Sequence, residues 1–246
     1  MTGKKAMKRQ VAPRSWPIHR KEHKWTVKPH PGAHNIKSSI PLAILLREIL
    51  GVARNVREVK YILTGRKIRV DGREVTDYRF PVGLMDVIEE VPTGRTFRML
   101  PTKGRYSYPF EIDQKEKWLK PLRIKGKQRI KGGSIQVNFH DGRSMLASRE
   151  EAEHLSPGDT VIFDLKERKA LEHIPLKVGS MALITGGPKR GVTGRVVDIR
   201  ATTGTRERTI TLATEDGKTA TTISSYVFPV GTESPAISIP ERGSWP

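Results

Sequence analysis

The chain has 246 residues, and its 45 Lys and Arg against 26 Asp and Glu give a formal charge of +19. It contains no cysteine, which excludes disulfides and thiolate metal sites. An apolar fraction of 36% with 29% charged residues permits a core but favours several modest modules over one thick domain, and so cationic a surface draws phosphate-rich partners.

The charge is concentrated. Residues 1–40 hold ten Lys and Arg against one acid, residues 93–140 hold twelve against three, and residues 41–92 are nearly balanced at nine against eight. The amino terminus carries Lys4, Lys5, Lys8 and Arg9 with no apolar stretch behind them, so no secretory signal is expected. No apolar run approaches the roughly 20 residues that span a bilayer. The expectation is a cytoplasmic chain with no membrane partner.

Residues 1–37 read as an extended arm. Pro13, Pro17, Pro29 and Pro31 break any helix, and apolar residues are too sparse to bury. Trp16 and Trp25 stand among Arg14, Arg20, Lys21 and Lys24, a composition suited to ordering on nucleic acid, with cations on phosphates and indoles on bases or against the body. His19/His23 and His30/His34 have the spacing of four that can share a metal on a helix. The prolines disfavour that helix, and hydrogen-bonding or phosphate-contacting histidines are expected instead.

From Ile40 the pattern becomes helical. Pro41 suits a first helical position, Leu42, Leu45, Leu46 and Ile49 repeat at helical spacing, and Gly51 fits the stop. Asn55 with Glu58 suggests a capping box for a second helix through Leu63, ended by Gly65. Ile68 and Val70 then alternate with Lys67 and Arg69, and Asp71-Gly72 is a strong two-residue hairpin turn. Arg54, Arg57, Lys60, Arg66, Lys67, Arg69 and Arg73 cluster at the joints of this unit as candidate RNA contacts.

After Pro92 the pattern is mostly β. Tyr106, Tyr108 and Phe110 share one strand face, as do Ile135, Val137 and Phe139 before the Asp141-Gly142 turn. Between them lies a basic run with Trp118 and one acid, Glu116; its candidate contacts are Lys120, Arg123, Lys125, Lys127, Arg129 and Lys131. Ser148 with Glu150 and Glu151 marks a short helix. In 177–199, alternating apolar residues flank GGPKRGVT, which fails as a nucleotide phosphate loop because Val192 follows Gly191. It reads as a strand–strand turn of a small β-barrel, with Lys189, Arg190 and Arg195 toward a nucleic-acid backbone. A last hairpin is expected around Glu215-Asp216-Gly217.

No activated nucleophile, paired carboxylates or metal triad stands out, so no catalytic residue, cofactor, metal or small-molecule substrate is expected. The fold class is α+β and multi-module: arm 1–40, helix–helix–hairpin module 41–92, β-rich centre 93–175 and small barrel 176–246.

The run LREILGVARNVREVKYILTGRKIRVDGREVTD resembles the S-four RNA-binding domain, and FPVGLMDVIE narrows the resemblance to the archaeal and eukaryotic ribosomal small-subunit protein family S-four-e. The basic arm and the 178–205 segment, which looks like a KOW motif, fit in the same order. The resemblance implies a non-enzymatic constituent of the small subunit whose partners are ribosomal RNA and neighbouring ribosomal proteins. It places the basic residues of 54–73, and Lys189, Arg190 and Arg195, on the RNA side. An RNA-modifying enzyme using the S-four module as a substrate clamp and a KOW-type transcription-elongation factor are the alternatives.

Overall fold

The computed structural model describes residues 6–103, 105–201, 207–214 and 217–240, with the side chains of Arg105 and Tyr106 left aside. Lys4, Lys5, Glu215 and Asp216 lie outside the described residues. The fold is mixed and strand-rich with few helices, and it divides into two compact units, Met1–Trp118 and Leu119–Pro246. No helix among the described residues is long and apolar enough to cross a membrane.

The amino-terminal unit begins with strand β1 (Ala6–Lys8) paired antiparallel to β2 (Trp25–Val27). Segment 6–40 is not a free arm. Trp16 is 3% exposed and packs with Ala12 into a core formed by Leu42, Leu45, Leu46, Val59, Leu63 and Ile68. Its indole N–H donates to the Ser39 carbonyl at 2.7 Å, so the ring buries its full apolar area with no polar atom stranded. Apolar residues are sparse in this segment, yet one Trp supplied with a hydrogen-bond acceptor anchors it.

Strand β3 (Ser39–Pro41) leads into helix α1 (Leu42–Ile44), whose continuation Leu45–Ile49 is a π turn instead of the expected regular α-helix. The Leu50 N–H reaches back to the Leu45 carbonyl, and Gly51 ends the turn at φ +65°. Leu45 and Leu46 remain fully buried. Helix α2 (Val56–Thr64) starts where Asn55 caps the N–H groups of Arg57 and Glu58 and buries Val59 and Leu63. Glu58 does not close a strict capping box. It accepts from the Arg54 N–H at 2.7 Å, one residue earlier, and from the Asn55 side chain.

A five-stranded antiparallel sheet follows, ordered β5-β4-β7-β8-β9, from β4 (Ile68–Val70), β5 (Arg73–Glu74), β7 (Val87–Glu90), β8 (Arg95–Thr102) and β9 (Arg105–Ile112). Strand β6 (Pro81–Gly83) pairs with β3 instead. The division expected at 92/93 runs between β7 and β8, which are hydrogen-bonded neighbours. Asp71 and Gly72 turn the β4–β5 hairpin with φ of 51° and 74°, the mirror-image turn that matches strand twist. Any Cβ at Gly72 would sit 2.5 Å from the Trp118 ring.

The carboxy-terminal unit has two antiparallel five-stranded sheets. The first is ordered β12-β11-β10-β13-β14: β10 (Leu119–Arg129), β11 (Ile135–Phe139), β12 (Ser144–Ala147), β13 (Thr160–Asp164) and β14 (Lys169–Ile174). Helix α3 (Arg149–His154) enters through a full capping box between Ser148 and Glu151. The second is ordered β18-β17-β16-β15-β19: β15 (Met181–Ile184), β16 (Thr193–Arg200), β17 (Thr209–Ala213), β18 (Thr219–Ile223) and β19 (Val227–Gly231). A small barrel was expected here; with β18 and β19 at its edges the sheet is a half-barrel. It curls over Ala182, Ile184, Val196, Ile210, Leu212 and Val227.

Lys120 on β10 is fully buried and meets Asp141 at 3.1 Å. Burial alone would raise the Asp141 carboxyl, but Lys120, His140 and Arg143 outweigh it and hold the group below its ordinary 3.8.

Three outcomes follow from this packing. Trp16→Ala lowers stability by about 3–5 kcal/mol in urea unfolding, whereas Trp25→Ala, at an exposed ring, stays within about 0.5 kcal/mol. Lys120→Met removes the buried cation paired with Asp141, leaving Arg143 as its remaining ion-pair partner at 3.2 Å, and costs on the order of 3 kcal/mol. Because the folded pKa of Asp141 is depressed, its contribution is full above the ordinary carboxylate value and is lost as pH falls through the lower folded one. Acid unfolding of Asp141→Asn therefore lacks that component.

Candidate nucleic-acid interface

The sequence-derived cations separate into two groups. Arg9 is 5% exposed, and its guanidinium bonds the Trp25 and His19 carbonyls and the Glu22 carboxylate. Arg20 reaches the carbonyls of Arg9, Gln10, Ala12 and Pro13. These two side chains tie the segment to itself, as a planar guanidinium with five donors is suited to do. Arg123 donates to the carbonyls of Ser225 (2.6 Å) and Val227 (2.9 Å), joining the two sheets of the carboxy-terminal unit. Lys127 donates to the Ala152 carbonyl at 2.7 Å, in the last turn of α3. Arg195, though exposed, holds the Gly179 and Glu233 carbonyls. With Lys120, these were expected as RNA contacts. Their donors are instead engaged internally, because carbonyl oxygens distant in sequence come within reach on folding.

The second group faces outward: Lys8, Arg14, Lys21 and Lys24 in the first segment, and Lys125, Arg129 and Lys131 along and beyond β10. Lys189 sits exposed in the β15–β16 turn, 3.5 Å from the Thr219 carbonyl, while the neighbouring Arg190 is half-buried. Gly186 in this turn lies under the Tyr226 ring, where a Cβ would come within 2.4 Å. The glycine is needed for that close approach.

The densest outward group belongs to α2 and the turn after it. Arg54, Arg57, Lys60, Lys67 and Arg73 are exposed, and among the described residues no ion pair engages them. Lys60 lies over the Tyr78 ring at 4.9 Å, leaving its charge outward. Arg66 and Arg69 share Glu74 at 3.2 and 3.5 Å, and Arg69 also approaches Glu89 at 3.8 Å. The Arg66–Glu74 pair is solvated and competes weakly with a polyanion, whereas Arg69 is drawn toward the largely buried Glu89.

The helix ends in a Schellman arrangement, with Arg66 N–H to Leu63 O at 3.0 Å and Lys67 N–H to Ile62 O at 3.3 Å. Gly65 caps the end of the helix, as expected, and the left-handed position after it is held by Arg66, at φ 54°. A side chain there is strained by roughly 1–2 kcal/mol, and the strain displays a cation beside the carbonyl end of the helix dipole.

Of the histidines, His34 is buried against Asp86 at 3.1 Å. His30 approaches Asp77 at 3.9 Å. Residue-by-residue reading missed Tyr61, 74% exposed on the outward face of α2; its spacing of four from Arg57 was the available signal.

A cationic helix–turn–hairpin set on an antiparallel sheet defines a protein of the S4-domain class, and the S4 domain profile matches residues 40–88. The RS4NT domain profile matches 1–37, and that of Ribosomal family S4e matches 93–170. The chain belongs to the ribosomal S4e family. It is 41% identical to small ribosomal subunit protein eS4 of Staphylothermus marinus, over all of this chain and 99% of that one. It is likewise 41% identical to eS4 of Methanothermobacter thermautotrophicus, over 98% of each. The crystal structure of the 30S ribosomal protein S4e from Thermoplasma acidophilum superposes with a TM-score of 0.68 at 27% identity, covering 79% of this chain and 96% of that one.

The division of cations has a measurable consequence. Arg9→Ala destabilises by about 1–3 kcal/mol, since it leaves buried acceptors unpaired, while Arg57→Ala leaves stability within about 0.5 kcal/mol. Arg66→Gly raises the unfolding midpoint, by about 1 kcal/mol of relieved strain, and removes a cation from the candidate face.

Proposed function

We propose that this chain is a structural constituent of the small ribosomal subunit that grips ribosomal RNA without catalysing a reaction. The observation that carries the reading is the face of α2 and its following turn, where Arg54, Arg57, Lys60 and Lys67 project with no carboxylate partner among the described residues. The full-length likeness to proteins named small ribosomal subunit protein eS4 supports the assembly.

Phosphates take the exposed cations: those of 54–73, Lys8, Arg14, Lys21 and Lys24 before them, and Lys125, Arg129, Lys131 and Lys189 after. Arg9, Arg20, Lys120 and Arg123 shape the surface that presents them. Duplex RNA offers side chains little base information in its deep groove, so a broad cationic surface reads backbone and shape. The chain works in the cytoplasm, on the ribosome, beside neighbouring ribosomal proteins. Along the sequence the contact zones run as a basic first segment packed on the amino-terminal unit (1–40), an S4 module (41–92), a β-rich stretch that continues its sheet and opens the second unit (93–175), and a KOW-bearing half-barrel (176–246).

Binding to small-subunit RNA is expected to weaken about 10³–10⁵-fold between 50 and 200 mM salt if on the order of 6–10 phosphates are neutralised, by analogy with DNA. A flat titration overturns the reading. So does co-sedimentation with RNA polymerase instead of the small subunit at moderate salt.

A further inference from the structure

We infer that Tyr61 is a stacking platform for an unpaired RNA base, so that the α2 face distinguishes splayed single-stranded nucleotides from continuous duplex; this rests on the RNA-binding reading above. Helix α2 directs its other apolar side chains inward, with Val59 and Leu63 fully buried and Val56 and Ile62 half-buried. Tyr61 alone among them is turned out, at 74% exposure. A single exposed aromatic is unremarkable by itself. Its surroundings are what point to a base.

The Lys67 ammonium lies 5.6 Å from the Tyr61 ring centroid. A cation against one face leaves the other for a flat π partner and supplies positive charge at the distance a nucleotide's own phosphate would occupy. Arg57, one turn earlier on the same face, has no ion pair among the described residues. Glu58, the acid that would otherwise neutralise this face, is turned back onto the Arg54 N–H (2.7 Å) and the Asn55 side chain (2.8 Å). At the other end Gly65 follows the ring with no side chain to cover it. An aromatic with cations before and after it, and with the local carboxylate engaged elsewhere, matches the stacked base and flanking phosphates of single-stranded RNA. A protein neighbour seated on Tyr61 would have no need of this uncompensated charge.

The test uses the full chain and two synthetic RNAs. One is a hairpin with an unpaired loop containing a fluorescent adenine analogue; the other is a blunt duplex with the same number of phosphates. Tyr61→Leu is expected to weaken hairpin binding by about tenfold, leave duplex binding unchanged and abolish the quenching of the loop fluorophore. Tyr61→Phe, which keeps the ring, retains both affinity and quenching. Arg57→Ala weakens both RNAs alike. Because the Tyr61 side chain is exposed, thermal unfolding of the leucine variant should match that of the parent. Stacking is overturned if Tyr61→Leu changes neither affinity, or lowers both equally, while the parent still binds RNA with steep salt dependence. If the parent binds neither RNA in a salt-dependent way, the RNA-binding reading falls as well.

Discussion

A chain with 45 cationic and 26 acidic side chains must fold against its own repulsion, and the way it does so determines which charges remain for a partner. The main device is the donation of cationic N–H groups to backbone carbonyl oxygens. Arg20 gathers four carbonyls within the first segment, and Arg123 joins two sheets through Ser225 and Val227. Where a charge is fully enclosed it has a carboxylate as well: Lys120 with Asp141, and Arg98 with Glu116 at 2.8 Å. Burial pushes the Arg98 guanidinium below its ordinary value, and Glu116 opposes the shift. Charge satisfied in this way becomes framework. What is left outward is the candidate contact surface.

The same separation explains how much could be read from the sequence. Features fixed by a few adjacent residues were legible: the Asn55 cap, the two-residue Asp71-Gly72 turn, the Ser148 cap and the strand alternation of 135–139. Features fixed by distant partners were not. Nothing near Arg123 in the chain announces that acceptors 102 and 104 residues away will take its guanidinium. Nothing near Trp16 announces Ser39. A free cation and a structural one are the same letter, so several side chains expected as contacts are bonded inside the fold instead. The spacing of Tyr61 from Arg57 was legible, but not that its ring is turned outward at 74% exposure with the Lys67 ammonium 5.6 Å from its centroid.

The α2 element shows local stability arranged around presentation. Its first turn is closed by Asn55 and Glu58, its last by a Schellman arrangement that puts Arg66 into a left-handed conformation a glycine would adopt more easily. Each end uses backbone hydrogen bonding to fix the direction of a charged group: an acid folded back, a base held out. The buried Val59 and Leu63 fix the rotation of the helix about its axis, so the same two residues that contribute to the core determine which side chains face solvent.

The anchoring of segment 6–40 has a thermodynamic corollary. A basic tail that becomes ordered only on its target must surrender chain conformational entropy at that moment, which shows as a large unfavourable entropy and a heat-capacity change beyond that of the contact surface. Here the contacts of Trp16, Arg9 and Arg20 restrict those dihedrals within the fold itself. A partner bound along this segment would therefore meet dihedrals already restricted by the fold, and the ordering cost would fall on folding of the polypeptide more than on binding.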